Sequence, residues 1–355
     1  MAKAHLVGKS SLMAPIVLQF VLLIASISTT GAQIGVVYGT QGNNLPPPKD
    51  VVNLLKEQKI QRVRIYEPNK QFLEALQGSN IEVVLGIPNK DLINLGGTQA
   101  GANKWVEDNI KTYTNVKFRY IVVGNEVKYT DPNAQFILPA IQNIGEAISK
   151  ANLGTEIKVT TAIGSDVLGK EFPPSAGEFR SDYLKAYLSE VIKFLTRNNT
   201  PILASVDPYR RLIGGPATYI HLDFALFERN TLGPVRDGSL IYTNLFDVLL
   251  DATHSALEKA GGGYMRIVIS ATGWPSSGIP PAILDNAKIY NTNLVKHVEE
   301  GTPQRHNRPI ETYVYALFDE NEKPTNTSNP LSKDSERFWG LFLPNKQPKY
   351  PISLN

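Results

Sequence analysis

The chemistry in this sequence gathers where apolar runs end. The run Arg119–Gly124 is followed by Asn125-Glu126, an acid with an amide beside it, and a second run ends in Ser270-Ala271-Thr272-Gly273-Trp274-Pro275-Ser276. A carboxylic acid whose pKa is raised by apolar walls can protonate a leaving oxygen near neutral pH, which is what cleaving a glycosidic bond requires. On spacing alone, a structural ion pair at the rim of the fold explains Glu126 equally well. Cleavage with retention needs a second carboxyl about 5–5.5 Å from the first. The second run offers alanine at that place, Ala271.

Other chemistries are poorly supplied. With no cysteine the chain has no thiol nucleophile, thiolate metal site or disulfide, and its five histidines (His5, His221, His254, His297, His306) include no pair at metal-ligand spacing. Ile34-Gly35-Val36-Val37-Tyr38-Gly39 lacks the G-x-G-x-x-G of a dinucleotide site. No metal or organic cofactor is therefore expected. Lys and Arg number 36 against 33 Asp and Glu, a formal net charge of +3, so no nucleic-acid partner is expected either.

Eight short β-branched runs alternate with amphipathic stretches, and these must position the strand ends. The predicted strands are Ile34–Tyr38, Arg62–Tyr66, Ile81–Ile87, Arg119–Gly124, Ile157–Ile163, Ile202–Val206, Arg266–Ser270 and Glu311–Phe318. Helices are predicted over Asp50–Gln58, Ala102–Tyr113, Ala134–Ala151, Tyr183–Arg197, Leu245–Ala260 and Leu284–Glu299. Phe136, Ile137, Ala140, Ile141, Ile144 and Ile148 recur at three and four, the spacing of a buried helical stripe. Near-continuous apolar strands alternating with helices imply an α/β fold with a covered parallel sheet. Eight units fit a single (β/α)8 TIM barrel, whose functional residues close the strands at their carboxyl ends. Asn321–Ser335, rich in Pro, Asn, Thr and Ser, reads as a loop after the eighth strand.

Residues 1–32 read as a secretory signal peptide and 33–355 as the barrel. Lys3 and Lys9 precede an apolar stretch from Leu12 to Ile27, and Thr30-Gly31-Ala32 offers small residues for cleavage. Cleavage takes the two lysines away and lowers the formal charge from +3 to +1. The mature chain is expected to be secreted, free of the membrane and monomeric. Asn198-Asn199-Thr200 and Asn326-Thr327-Ser328 are glycosylation sequons in polar, loop-like stretches.

Several segments then make the chain recognisable. Gln33-Ile34-Gly35-Val36-Val37-Tyr38-Gly39, Arg64-Ile65-Tyr66-Glu67-Pro68-Asn69, Val123-Gly124-Asn125-Glu126, Gly273-Trp274-Pro275-Ser276, Phe318-Asp319-Glu320-Asn321 and Phe338-Trp339-Gly340-Leu341-Phe342 resemble plant endo-1,3-β-glucanases of glycoside hydrolase family 17. The resemblance runs from residue 33 to the end. It implies a (β/α)8 barrel with a long cleft that takes β-1,3-glucan or a related cell-wall polysaccharide. It also implies that Glu126 is the general acid/base and that Glu320, Lys323 and Glu336 form a charged cluster beside the nucleophile. Tyr38, Tyr66, Asn125, Tyr209, Trp274 and Phe318 match cleft positions that would stack on or hydrogen-bond to sugar. For most of these aromatics core packing is an equal reading; the strand-end place of Trp274 favours sugar.

The chain departs from the resemblance at two places in the cleft, besides Val37 for a family cysteine and Glu67 for the usual aspartate. The family's nucleophile lies in S-E-S-G-W-P, read here as Ser270-Ala271-Thr272-Gly273-Trp274-Pro275, so Ala271 replaces the nucleophilic glutamate. The family's N-I-Y-P-Y-F reads Ser205-Val206-Asp207-Pro208-Tyr209-Arg210. Four changes in one cleft read as natural divergence away from hydrolysis, not as a single engineered replacement. Three expectations follow: a secreted glycan-binding pseudoenzyme; a slow glycosidase in which Asp207 activates water; or a wall or defence protein that uses its surface. Asp207 and Arg210 join the substrate-binding positions. The chain's stop at Tyr350-Pro351-Ile352-Ser353-Leu354-Asn355 points to the apoplast.

Overall fold

The computed structural model describes residues 34–214, 220–228, 233–324 and 335–354. The expected signal peptide and the sequon at Asn326 lie outside the described residues.

Eight parallel strands close into a barrel: β1 (Ile34–Val37), β2 (Arg62–Ile65), β3 (Glu82–Ile87), β4 (Lys117–Asn125), β5 (Lys158–Ile163), β6 (Ile202–Ser205), β7 (Ile267–Thr272) and β8 (Thr312–Val314). Each strand pairs with its neighbours in sequence, and β8 closes on β1 through Ile34 opposite Thr312 and Val36 opposite Val314. All eight predicted strands are present. Among the described residues, the helices around the barrel include α1 (Pro48–Glu57), α2 (Lys70–Leu76), α3 (Gln99–Asn109), α4 (Ile137–Lys150), α5 (Ser189–Arg197), α6 (Leu245–Lys259) and α7 (Leu284–His297). On α4 the predicted stripe Ile137, Ala140, Ile141, Ile144 and Ile148 is buried, whereas Phe136 is half-buried in the turn Ala134–Phe136 before the helix.

The differences from expectation have local causes. The sequence reading passed over α2, a short helix set by Asn69, whose side chain accepts from the Phe72 N–H at 2.9 Å. The eighth strand ends at Val314 instead of running to Phe318, because the backbone then changes partner. The Ala316 N–H donates to Trp339 O, and Phe318 pairs with Phe342. Three two-stranded hairpins, at residues 168–179, 235–242 and 301–306, were also missed. Their strands span only two or three residues, too few to show an alternation.

The starting ends of the strands are stapled by charge. Glu311, just before β8, takes Arg119 Nε and Nη2 at 2.9 Å each and the Tyr120 hydroxyl at 3.2 Å. Arg266 Nη1 and Arg62 Nη1 approach it at 3.4 and 4.0 Å, while Arg62 Nε also pairs with Glu82 at 2.5 Å. This ring ties the β2, β3, β4, β7 and β8 segments together at the end of a barrel that serves stability.

Candidate active site

The carboxyl ends of the strands open on a cleft of about 300 Å³ whose walls include Tyr38, Tyr66, Asn125, Glu126, Asp207, Arg210, Ala271, Glu320 and Lys323. Glu126 sits just beyond β4 with φ +49°, next to Gly124 at φ +73°. A non-glycine residue in the left-handed region costs on the order of 1–3 kcal/mol and persists only where its surroundings impose it. Here Asn89 holds the preceding residue at both ends, accepting from the Asn125 N–H at 2.7 Å and donating to Asn125 O at 3.0 Å. The Glu126 N–H donates to Ala162 O at 2.9 Å. Gly164 leaves room for the side chain, since a Cβ there would stand 3.2 Å from Glu126 Oε2. The carboxyl group is thus presented to the cleft on a braced backbone.

Ser205 connects this acid to the seventh strand. Its hydroxyl hydrogen-bonds Glu126 Oε1 and lies 3.0 Å from the Ser270 hydroxyl. Ser205 also stands opposite Ala271 in the β6–β7 register, and Ala271 O accepts the Val206 N–H. Ala271 is therefore one strand away from the group that holds Glu126, and it presents a methyl to the cleft. Arg64, buried under the floor, donates to Asn125 Oδ1 at 2.6 Å and to Ser270 O at 2.7 Å. It couples the residue before the acid to the residue before Ala271. Sequence reasoning quoted Arg64 within a motif and gave it no role; a charged residue within an apolar strand was the available signal.

The charged cluster divides into two parts. Glu320 lies over Gly39, where a Cβ would come within 2.3 Å of its carboxylate, and it accepts the Gln41 N–H at 2.8 Å. Burial raises its pKa. Glu336 is buried behind the wall and reaches the cleft through two cations. Arg210 Nη2 donates to both of its oxygens at 3.0 Å, and Lys323 Nζ stands 3.8 Å away. Lys323 also lies 4.3 Å from the centre of the Tyr315 ring. Burial pushes its ammonium down to about 8, against the pull of Glu336.

That shift has a measurable consequence. Between about pH 8 and 10.5 the unfolded chain keeps a proton that the folded chain has released at Lys323, so this site makes stability rise with pH across that window. Urea midpoints at pH 7.5, 9 and 10.5 should show the rise in the native protein and its loss in Lys323→Met. Parallel curves would contradict it.

Asp207 has a structural task. It precedes the helical turn Pro208–Gly214, and its Oδ1 accepts the Arg210 N–H at 2.8 Å, with Arg210 Nη1 3.5 Å from Oδ2. Asp followed by Pro is a readable N-cap signal. Burial raises the Asp207 pKa, with Arg210 opposing.

Three sequence expectations need correction. Tyr209, Trp274 and Phe318 lie in the packed interior, not on the cleft wall. Trp274 Nε1 donates to Pro281 O at 3.0 Å, and its ring packs against Tyr209 at 5.2 Å and Tyr290 at 5.4 Å. The pairing register shifts between Ile269 and Ala271 on β7, so simple alternation does not carry past it. Phe318 packs edge-on against Tyr38 at 6.2 Å. The aromatic walls are Tyr38, Tyr66, Tyr315 and Trp339. Asn198 lies exposed at the end of α5, its Nδ2 donating to Phe194 O at 2.8 Å.

Comparison with known proteins puts this geometry in context. The description of Glycosyl hydrolases family 17 matches residues 34–354. The chain is 47% identical over 345 residues to a glucan endo-1,3-beta-glucosidase of Vitis vinifera, covering 96% of this chain and 97% of that one. It is 44% identical over 348 residues to a basic vacuolar isoform of the same enzyme type from Nicotiana plumbaginifolia, covering 96% and 92%. Among solved structures it is similar to CJP38, a beta-1,3-glucanase and allergen of Cryptomeria japonica pollen. That match has a TM-score of 0.84 and 44% identity over 91% of this chain and 99% of the other.

Proposed function

This chain belongs to glycosyl hydrolases family 17, and on that premise we propose that it binds β-1,3-glucan in its cleft while hydrolysing it weakly or not at all. The observation that carries the reading is Ala271 in the cleft beside the Ser205–Glu126 pair. Glu126 is the acid/base of this reading: it delivers a proton to the leaving oxygen of a bound glucan. Retention then needs a carboxylate to form the glycosyl-enzyme bond, and a methyl group has no lone pair to attack with. Tyr38, Tyr66 and Asn125 remain to meet sugar, and β-1,3-glucan is the substrate named for the similar proteins of grapevine and cedar pollen.

The reading in which Asp207 activates water is weaker. Its Oδ1 is committed to capping the Arg210 N–H and its Oδ2 faces the Arg210 guanidinium, so acting as a base would give up both. The reading that the protein acts in the wall or in defence through its surface alone leaves the braced acid at Glu126 without a role. Secretion of the mature chain from Gln33 and glycosylation at Asn198 complete the proposal.

Calorimetric titration with laminarihexaose, followed by assay of reducing ends after long incubation, tests it. Binding heat with sugar release no greater than the buffer blank is the expected result. Absence of heat would refute glycan binding. Release that disappears in Asp207→Ala would favour the water-activating reading.

A further inference from the structure

A second cavity, of about 200 Å³, lies away from the cleft, between α6, the hairpin at residues 301–306 and the starting ends of β7 and β8. Its walls include His254, Tyr264, Arg266, Arg305 and Arg308. Arg305 gives its Nη2 to Glu258 at 2.9 Å, and its buried Nε has no hydrogen-bond partner. Arg266 Nη1 lies 3.4 Å from Glu311, a carboxylate already shared with Arg119. Arg308 is exposed and makes no ion pair among the described residues. His254 is only 8% exposed, yet its Nδ1 has no partner.

Unsatisfied buried donors are uncommon, because each one forfeits the hydrogen bond it made in water. Two unpartnered buried nitrogens, Arg305 Nε and His254 Nδ1, belong to the walls of one cavity here, beside three guanidinium groups of which two meet a carboxylate among the described residues. Burial, reinforced by Arg305 and Arg308, pushes His254 down to about 3, so the ring is neutral and can donate from one nitrogen only. Arginine is well suited to carboxylate, which it meets with paired N–H donors. Tyr264 stands at the rim and is 99% exposed, a fully presented ring of the kind that sugars stack on. A neighbouring groove of about 580 Å³ shares Tyr264, Met265 and Arg266 with this cavity, leaving room for further units of a polymer.

We infer that this cavity is a binding site for an acidic polysaccharide, holding one uronate carboxylate among Arg305, Arg308 and His254 while the pyranose face rests on Tyr264. The site is independent of the cleft and of any hydrolysis there. It would anchor the protein on an acidic wall matrix and leave the cleft free.

The intact protein is titrated with a galacturonate trimer, with laminaritriose and with inorganic phosphate. Binding of the uronate is expected, weakened at least tenfold by Arg308→Gln and by Tyr264→Ala and unchanged by Arg210→Ala in the cleft. Both weakening substitutions are at exposed positions, so folding is preserved. Lack of uronate binding would overturn the inference. So would loss of binding in Arg210→Ala with Arg308→Gln silent, which would move the ligand to the cleft. Phosphate binding as tightly as uronate, with Tyr264→Ala silent, would reduce the site to one for simple oxyanions and overturn the sugar assignment.

Discussion

Ala271→Glu should release reducing sugar from laminarin at least ~10³-fold faster than the native protein, with retention of anomeric configuration. The size follows from what a catalytic nucleophile contributes where the remaining machinery stands. That machinery is braced already: Asn89 and Ala162 hold the backbone around Glu126, and Arg64 links Asn125 to Ser270. The obstacle is Arg210. Its guanidinium lies among the cleft residues, and a tight ion pair with a new carboxylate would blunt its attack. Ala271→Glu with Arg210→Phe should therefore exceed the single variant. Anomeric proton signals of the first product report the stereochemistry. If neither variant gains activity while both still bind laminarihexaose, the cleft itself has been rebuilt and the missing nucleophile is not the sole deficit.

Glu311→Gln should lower the thermal midpoint by about 5–10 °C and leave the cleft unaffected. Removing one partner from a buried ionic network leaves uncompensated charge, at about 3–5 kcal/mol. In a domain of this size each kcal/mol moves the midpoint by roughly 2 °C or somewhat more. Among the described residues Glu311 is the only carboxylate that reaches Arg62, Arg119 and Arg266 together; Glu82 reaches the first two. Glutamine keeps the shape and can still accept from the Tyr120 hydroxyl, so the loss measures charge. A fall under 2 °C would mean that Glu82 compensates. Laminarihexaose affinity should stay within about twofold, because the cluster lies at the opposite end of the strands.

The order of the strands was legible because each is a short β-branched run, and most of their ends because Gly, Asn or Asp follows closely. Glu126 and Ala271 were legible for the same reason. The end of β8 and the short helix α2 were not, since one is set by a change of backbone partner and the other by a single capping Asn69. Trp274 was misplaced because its place at a strand end suggested the cleft, whereas the ring turns inward against Tyr209 and Tyr290. Asp207 had a capping signature in Asp-Pro, but its cap lies in the cleft wall, where a carboxylate invites a chemical reading first. The buried link through Arg64 and the Ser205–Glu126 contact join strands two, four, six and seven, and no local pattern encodes such a meeting.

By itself, then, the sequence determined which groups the protein possesses: an acid at residue 126, a methyl at 271, no thiol and no two histidines at metal-ligand spacing. Those are matters of covalent identity and of short-range periodicity, which a chain carries before it folds. Only the tertiary structure decided which groups meet. It set Arg210 on Glu336, turned Trp274 inward and drew three arginines and a neutral histidine around a cavity far from the cleft. Closing a barrel sets distances between residues remote in sequence, and charge and hydrogen bonding act through those distances.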